Sequence, residues 1–398
     1  MMTIAILPLE THIPTVAGFS SLFLMFAVLA GYVVLNRREM FDRLWMHPVF
    51  LAAYVFIGIT FLLEFASPQP LYEPIFRFLL MAVGAMLVAS LCRDRPALGA
   101  CLYGYIGAAL WLALVLFLTS YGTLQGAATT NFNDASKVRS QAFSNKPVKG
   151  NINAMSFTCL QGGVVSFAFA LVSGTLRRRR VFFGIALLCF SASFLTMSRA
   201  AIAISILSCI AILYAHGVRH MKVLVLAGLL VASIFLLVPG AIWSRMSLQA
   251  GEGDSTEETR VALYRIALQS LPEYLISGVG AGNFANKWGF ENGFGAGDHV
   301  FSLHNTFLQL MVYWGLTGLL PFIAMIWQAY RCFPQRCATD VLALCLVGIA
   351  VSLFAMMFFN NEFYSKGLSL GLGMLVASRC WIWRTGMVEP AKSGAERC

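Results

Sequence analysis

The stretch SLHNTFLQLMVYWGLTGLL, residues 302–320, decides how this chain is read. From Phe307 onward it is apolar enough to cross a bilayer, whose core takes about 20 such residues in a helix. Yet it opens on His304, Asn305 and Thr306, three polar side chains at the mouth of the apolar run. The positive end of a helix dipole disfavours imidazolium, so His304 is expected to be mainly neutral near neutral pH. A neutral imidazole keeps one acceptor nitrogen and can take a proton from a hydroxyl. The same position also suits a capping or interface histidine, and spacing alone does not choose between the two.

The rest of the chain belongs to the same environment. Of its 398 residues, 59% are hydrophobic and 12% are charged, against roughly 25% charged in an ordinary soluble protein. That composition excludes a soluble globular enzyme and implies an all-α polytopic membrane protein. The net charge of +10 does not imply nucleic acid as a partner. The arginines sit in short clusters between apolar runs, which is the pattern that sets membrane topology. The opening MMTIAILPLETHIP has neither a basic segment nor a small-residue cleavage site, so the first apolar run is expected to stay in the membrane.

Apolar runs fall at about 14–35, 47–66, 71–91, 98–119, 152–176, 180–196, 199–215, 221–239, 304–330, 339–359 and 362–383, giving about 11–12 helices in a single integral membrane domain, 1–398. Alternate connections are basic: Arg37, Arg38 and Arg43; Arg93 and Arg95; RRRR at 177–180; Arg219 and Lys222; Arg331 and Arg336. The positive-inside rule assigns these, with the tail 384–398, to the cytoplasm. Two long loops then face outward, a first periplasmic loop at 120–151 and a large one at 240–303, which is expected to carry amphipathic helices. None of the ten cysteines falls in an outward loop under this topology, so no disulfide framework is expected.

Other candidate residues lie on the outward side. Arg199, in TMSRAA, marks the outer turn of a tight helical pair. An arginine between apolar runs either snorkels to the interface or meets an anion, and guanidinium offers paired donors that match phosphate oxygens. Arg260 and Arg265 lie in STEETRVALYRIALQSLPEYL, where Ser255 and Glu258 fit a capping box and Pro272 limits the end. Val261, Tyr264, Leu268 and Leu271 would form one apolar face. Both arginines could instead pair with Glu257 or Glu258. GVGAGNF at 278–284 lacks the spacing of a dinucleotide fingerprint and reads as a tight turn with close backbone approach, from which Asn283 could reach a substrate. Arg139, which begins an R-x10-G spacing ending at Gly150, lies in a basic loop suited to an anionic lipid or sugar. No metal site is expected from the scattered Asp298, His299 and His304.

Taken together, TMSRAA, EETRVALYRIALQSLPEYLISGVGAGNF, HNTFLQLMVYWGLTGL and RSQAFSNKPVKGNINAMSF resemble, in order, segments of the O-antigen ligase family of bacterial membrane glycosyltransferases. The resemblance covers roughly residues 139–330. It implies a GT-C type fold in the inner membrane with a periplasmic active site, using no cofactor and no metal. The implied donor is O-antigen glycan on undecaprenyl diphosphate, and the implied acceptor is lipid A–core oligosaccharide, both met among membrane lipids. By the same resemblance His304 is the general base of an inverting transfer, and Arg199 and Arg260 bind the diphosphate. Arg139, Asn305, Gln309, Arg265, Asn283 and Lys366 are further candidates for substrate contact. An O-antigen polymerase and a protein O-oligosaccharyltransferase of the same superfamily are the alternatives. The first is disfavoured because the paired R-x10-G loops are not present.

Overall fold

The computed structural model describes residues 15–16, 19–20, 31–33, 35, 38–125, 152–196, 198–218, 255–296, 299–300, 302–334, 339–360, 363 and 365–382. Over them the protein is an all-α polytopic membrane protein. A short helix α1 (Arg38–Trp45) precedes α2 (Pro48–Phe65), α3 (Glu73–Leu91), α4 (Arg95–Gln125), α5 (Ile152–Val172), α6 (Leu176–Leu195) and α7 (Arg199–Ala215). Then come α8 (Ser255–Gln269), α9 (Thr306–Tyr330), α10 (Val341–Phe359) and α11 (Lys366–Ala377). The segments Pro48–Phe65, Glu73–Leu91, Arg95–Leu118, Ile152–Val172, Thr306–Tyr330 and Val341–Phe359 are each long and apolar enough to cross a membrane. The expected span 221–239, most of 14–35, and the loop carrying Arg139 lie outside the described residues. Within 14–35, Thr15–Val16 pairs antiparallel with Phe19–Ser20, β-branched Thr15 and Val16 suiting extended backbone, and residues 31–33 and 35 are helical.

Small residues set how closely the helices pack. A Cβ on Gly162 of α5 would fall 2.1 Å from that of Ala109 on α4, and Ser156 of α5 meets Ser193 of α6 at 2.8 Å. Gln161 of α5 accepts from Tyr105 of α4 and donates to Ser352 of α10. Polar side chains inside an apolar bundle are tolerated where they bond across helices in this way. Arg43, Arg93, Arg95, Arg177–Arg180, Arg331 and Arg379 all fall at one end of the bundle, where Arg95 bonds Asp340 at 2.7 Å. The ends of α2, α4, α6 and α10 and the starts of α3, α5, α7, α9 and α11 form the other.

The quoted stretch does not form one continuous helix. Gly315 has φ +61°, and α9 breaks there. The glycine-rich segment after α8 fills the break. Val279 N–H donates to Val312 O and Gly280 N–H to Tyr313 O, both at 2.9 Å. From the far side, Leu316 N–H donates to Leu275 O at 2.8 Å and Thr317 N–H to Ile276 O at 3.0 Å. The backbone groups freed by the break are thus paired, as burial near lipid requires. The hydropathy of the run carries no trace of this, because one glycine barely lowers the mean of an apolar window.

Among the described residues, hydrophobic side chains form two cores. The larger fills the bundle. The smaller gathers Leu263 and Ala267 of α8 with Tyr274, Phe284, Trp288, Phe294, Leu303 and Val312. Its rings are in mutual contact, Trp288 stacking on Phe294 at 5.5 Å and meeting Tyr274 edge-on at 5.9 Å. The expected apolar face of α8 is therefore only half right. Tyr264 and Leu271 pack on this core, whereas Val261 and Leu268 are 59% and 63% exposed. The buried stripe runs through Leu263 and Ala267 instead, because the partner of α8 is this aromatic cluster.

Candidate functional site

The non-basic end of the bundle gathers the polar residues of interest. Asn305 is the N-cap of α9, its side-chain oxygen accepting from Leu308 N–H at 3.0 Å. With that oxygen engaged, its amide nitrogen is the end left for its hydrogen bond with the Tyr264 hydroxyl on α8. Capping by Asn305 leaves His304 one residue outside the helix. His304 holds φ +50°, the left-handed region that side chains other than glycine seldom adopt. Such a conformation costs on the order of 1–3 kcal/mol and persists where the surroundings enforce it. Here Gln309, fully buried, accepts from Leu303 N–H at 2.9 Å and Ser302 Oγ at 3.3 Å, fixing the chain just before the histidine.

The imidazole is half-buried and shares a hydrogen bond with the Asn360 side chain at the end of α10. Asn360 is tied to α9 a second time, its carbonyl accepting from Thr306 Oγ1 at 2.9 Å. Burial holds the pKa of His304 below the usual histidine value, the charge of Arg260 lowers it further, and the bond to Asn360 opposes both. The imidazole is therefore neutral near neutral pH. Burial and Arg260 act in the direction expected of the helix dipole. With one ring N–H given to Asn360, the other nitrogen is an acceptor.

Arg260 stands one turn before Tyr264 on α8, half-buried. Its Nε is buried with no hydrogen-bond partner among the described residues, as is Nε2 of Gln309. Leaving a buried donor unpaired costs about 1–3 kcal/mol. Arg199 opens α7, one residue after its cap Ser198. Gly348 of α10 packs on Ile212 of α7, and these helices run antiparallel. Asn360 is twelve residues beyond Gly348 and Arg199 thirteen before Ile212, so their backbones reach the same level.

Of the other candidates, none bonds to the histidine among the described residues. Arg265 is exposed on α8, and Asn283 donates to Val279 O at 3.1 Å within its own segment. Lys366 opens α11 at the same bundle end, and Arg139 is outside the described residues. Tyr264, Asn360 and Glu64 were not singled out from sequence. Asn360 had no local signal, since only the packing of α10 beside α9 brings it to His304. Among the described residues no group of three or more His, Cys, Asp or Glu side chains is disposed to hold a metal ion.

A neutral imidazole, with arginine and amide donors beside it, suits proton removal from a hydroxyl next to an anion. Residues 184–323 match the family model described as O-antigen ligase. The match runs from within α6 into the second half of α9 and contains Arg199, Arg260 and His304. A comparison with curated proteins returned no match. Over residues 184–323, then, the chain is similar to the O-antigen ligase family.

Proposed function

We propose that the protein is an O-antigen ligase of the inner membrane, moving O-antigen polysaccharide from undecaprenyl diphosphate to lipid A–core oligosaccharide. The observation that carries the reading is the pairing of a neutral, braced imidazole with the half-buried Arg260, whose Nε has no hydrogen-bond partner among the described residues. In the proposed reaction the free nitrogen of His304 takes the proton of an acceptor hydroxyl. The hydroxyl oxygen bonds to the anomeric carbon as the carbon–oxygen bond to the diphosphate breaks. The leaving diphosphate gains negative charge, which Arg199 and Arg260 would stabilise most strongly in the low dielectric beside lipid. Alignment of acceptor, carbon and leaving group supplies a further share of the rate.

The basic end of the bundle supports the proposed orientation. If that end is cytoplasmic, as the positive-inside rule favours, His304 faces the periplasm. The test is incubation of purified protein with lipid-linked O-antigen and two competing acceptors, lipid A–core and a second lipid-linked glycan. Consumption of lipid A–core supports the ligase. Extension of the lipid-linked glycan alone would make the protein a polymerase, and transfer to neither would remove the proposal.

A further inference from the structure

Glu64 is a carboxylate near the end of a membrane helix, and it is wholly buried. Burying a charge there is unfavourable unless donors surround it. Four do. Oε1 accepts from Leu71 N–H at 2.7 Å and Gly282 N–H at 3.0 Å; Oε2 accepts from Ala281 N–H at 2.8 Å and the Trp314 indole at 3.0 Å. These donors come from three places: the turn after α2, the glycine-rich segment, and α9 immediately before its break. Charged acceptors with several backbone donors make the stronger class of hydrogen bond.

The position of this cluster matters because the molecule has two cores. The small aromatic core includes Leu263 and Ala267 of α8, the helix that bears Arg260. His304 stands beside Asn360 of the bundle, and Arg199 opens a bundle helix. Arg260 therefore acts on His304 across the junction between the two cores, which the glycine-rich segment and α9 both span. Phe284 lies in the small core and Ala281 in the large one. Glu64 grips this segment at Ala281 and Gly282, on the bundle side, and grips α9 at Trp314 with its other oxygen.

We infer that Glu64 is a positioning residue for the transfer site: its carboxylate pins the glycine-rich segment to the bundle end, and so fixes the α8 body bearing Arg260 against His304. This rests on the proposed function for its consequence in catalysis, but its geometric content stands apart from it. Arg260 on α8 and Asn360 at the end of α10 are the groups that act on His304, and Glu64 acts through the first of them.

The experiment reads His304 itself. Purified full-length protein is treated with diethyl pyrocarbonate across a pH series, and modification of the His304 peptide is followed by mass spectrometry. In the wild type the midpoint lies below the ordinary histidine value. In Glu64→Gln one carboxamide end faces two N–H donors, the junction loosens, and the midpoint moves up towards the ordinary value as Arg260 draws away. Transfer by the folded variant falls on the order of tenfold to hundredfold, and Glu64→Asp recovers part of both. A wild-type midpoint in Glu64→Gln overturns the inference, even if transfer drops, because loss of folded protein lowers a rate without moving a titration. If Glu64→Gln does not accumulate in membranes, Trp314→Phe removes one donor and keeps the carboxylate. A smaller upward shift in that variant supports the inference, and an unmoved midpoint defeats it. Should the wild type transfer no glycan at all, the shift is still measured, so failure of the proposed function is told apart from failure of the positioning role.

Discussion

Gly278 and Gly315 each leave no room for a side chain, because the backbone next to the other stands in the way. A Cβ on Gly278 would stand 2.2 Å from Tyr313 O, and one on Gly315 would stand 2.2 Å from Ile276 O. Both also hold positive φ, +75° and +61°. Gly278→Ala and Gly315→Ala should therefore each lower stability by about 2–4 kcal/mol, from strain and forced separation of two backbones. Because both separate the same pair of segments, the double variant should lose less than the two single losses together. Thermal unfolding of the detergent-solubilised protein measures this. Wild-type midpoints in both single variants would show that the splice at the break yields easily.

His304→Ala should abolish glycan transfer while the protein still accumulates in membranes. In the wild type the acid limb of the rate profile should lie below the ordinary histidine value near 6.5, the neutral form being the active one. The sign for stability is the same. A depressed folded pKa means that the unfolded chain binds the proton more readily. This contribution is present above the unfolded pKa and is lost as pH falls through that value towards the folded one. An acid limb above the ordinary value, or capped lipopolysaccharide from His304→Ala in a strain without its own ligase, would remove His304 from the reaction.

Asn360→Leu removes the brace on the imidazole. Transfer should fall about tenfold to a hundredfold with a smaller change in donor KM. The acid limb should move further down, since the bond to Asn360 raises the His304 pKa. Asn360→Asp keeps an acceptor and adds a negative charge, so its limb should move up. Limbs that stay together in all three proteins would mean that Asn360 does not orient the ring.

The two arginines separate charge from geometry. Arg260→Gln should raise the His304 pKa by removing a neighbouring cation, whereas Arg260→Lys should leave it low. Both should lose transfer if paired donors to phosphate are needed. Arg199→Lys should likewise lose at least tenfold, more than retention of charge alone would allow. Full transfer by either lysine variant would argue against two-point phosphate binding.

Orientation has its own check. A cysteine introduced at Arg178 should react with a membrane-impermeant maleimide only after the cytoplasmic side is opened. One at Lys287 should react from outside in intact spheroplasts. The reverse pattern would turn the molecule over and place His304 in the cytosol.

The bundle was legible because hydropathy reports burial in lipid residue by residue. Ser198–Arg199 was legible as a turn because two apolar runs meet there without a loop. The break in α9 was not, since Gly315 lies among leucines and its φ is imposed by a segment some forty positions upstream. Glu64 was passed over for a related reason. Three of its four partners are backbone N–H groups, which have no spelling in the sequence. Val261 and Leu268 were misassigned because helical periodicity names an apolar face without naming what it faces. Asn360 reaches His304 only through the packing of two helices, and one sequence does not state which helices become neighbours.

The separation of the aromatic cluster from the membrane core has an evolutionary corollary. The outward surface of that cluster, with Arg265, Lys287 and Glu291, can drift without repacking a single transmembrane helix. A lineage could then remodel that surface while the helices below it are inherited intact.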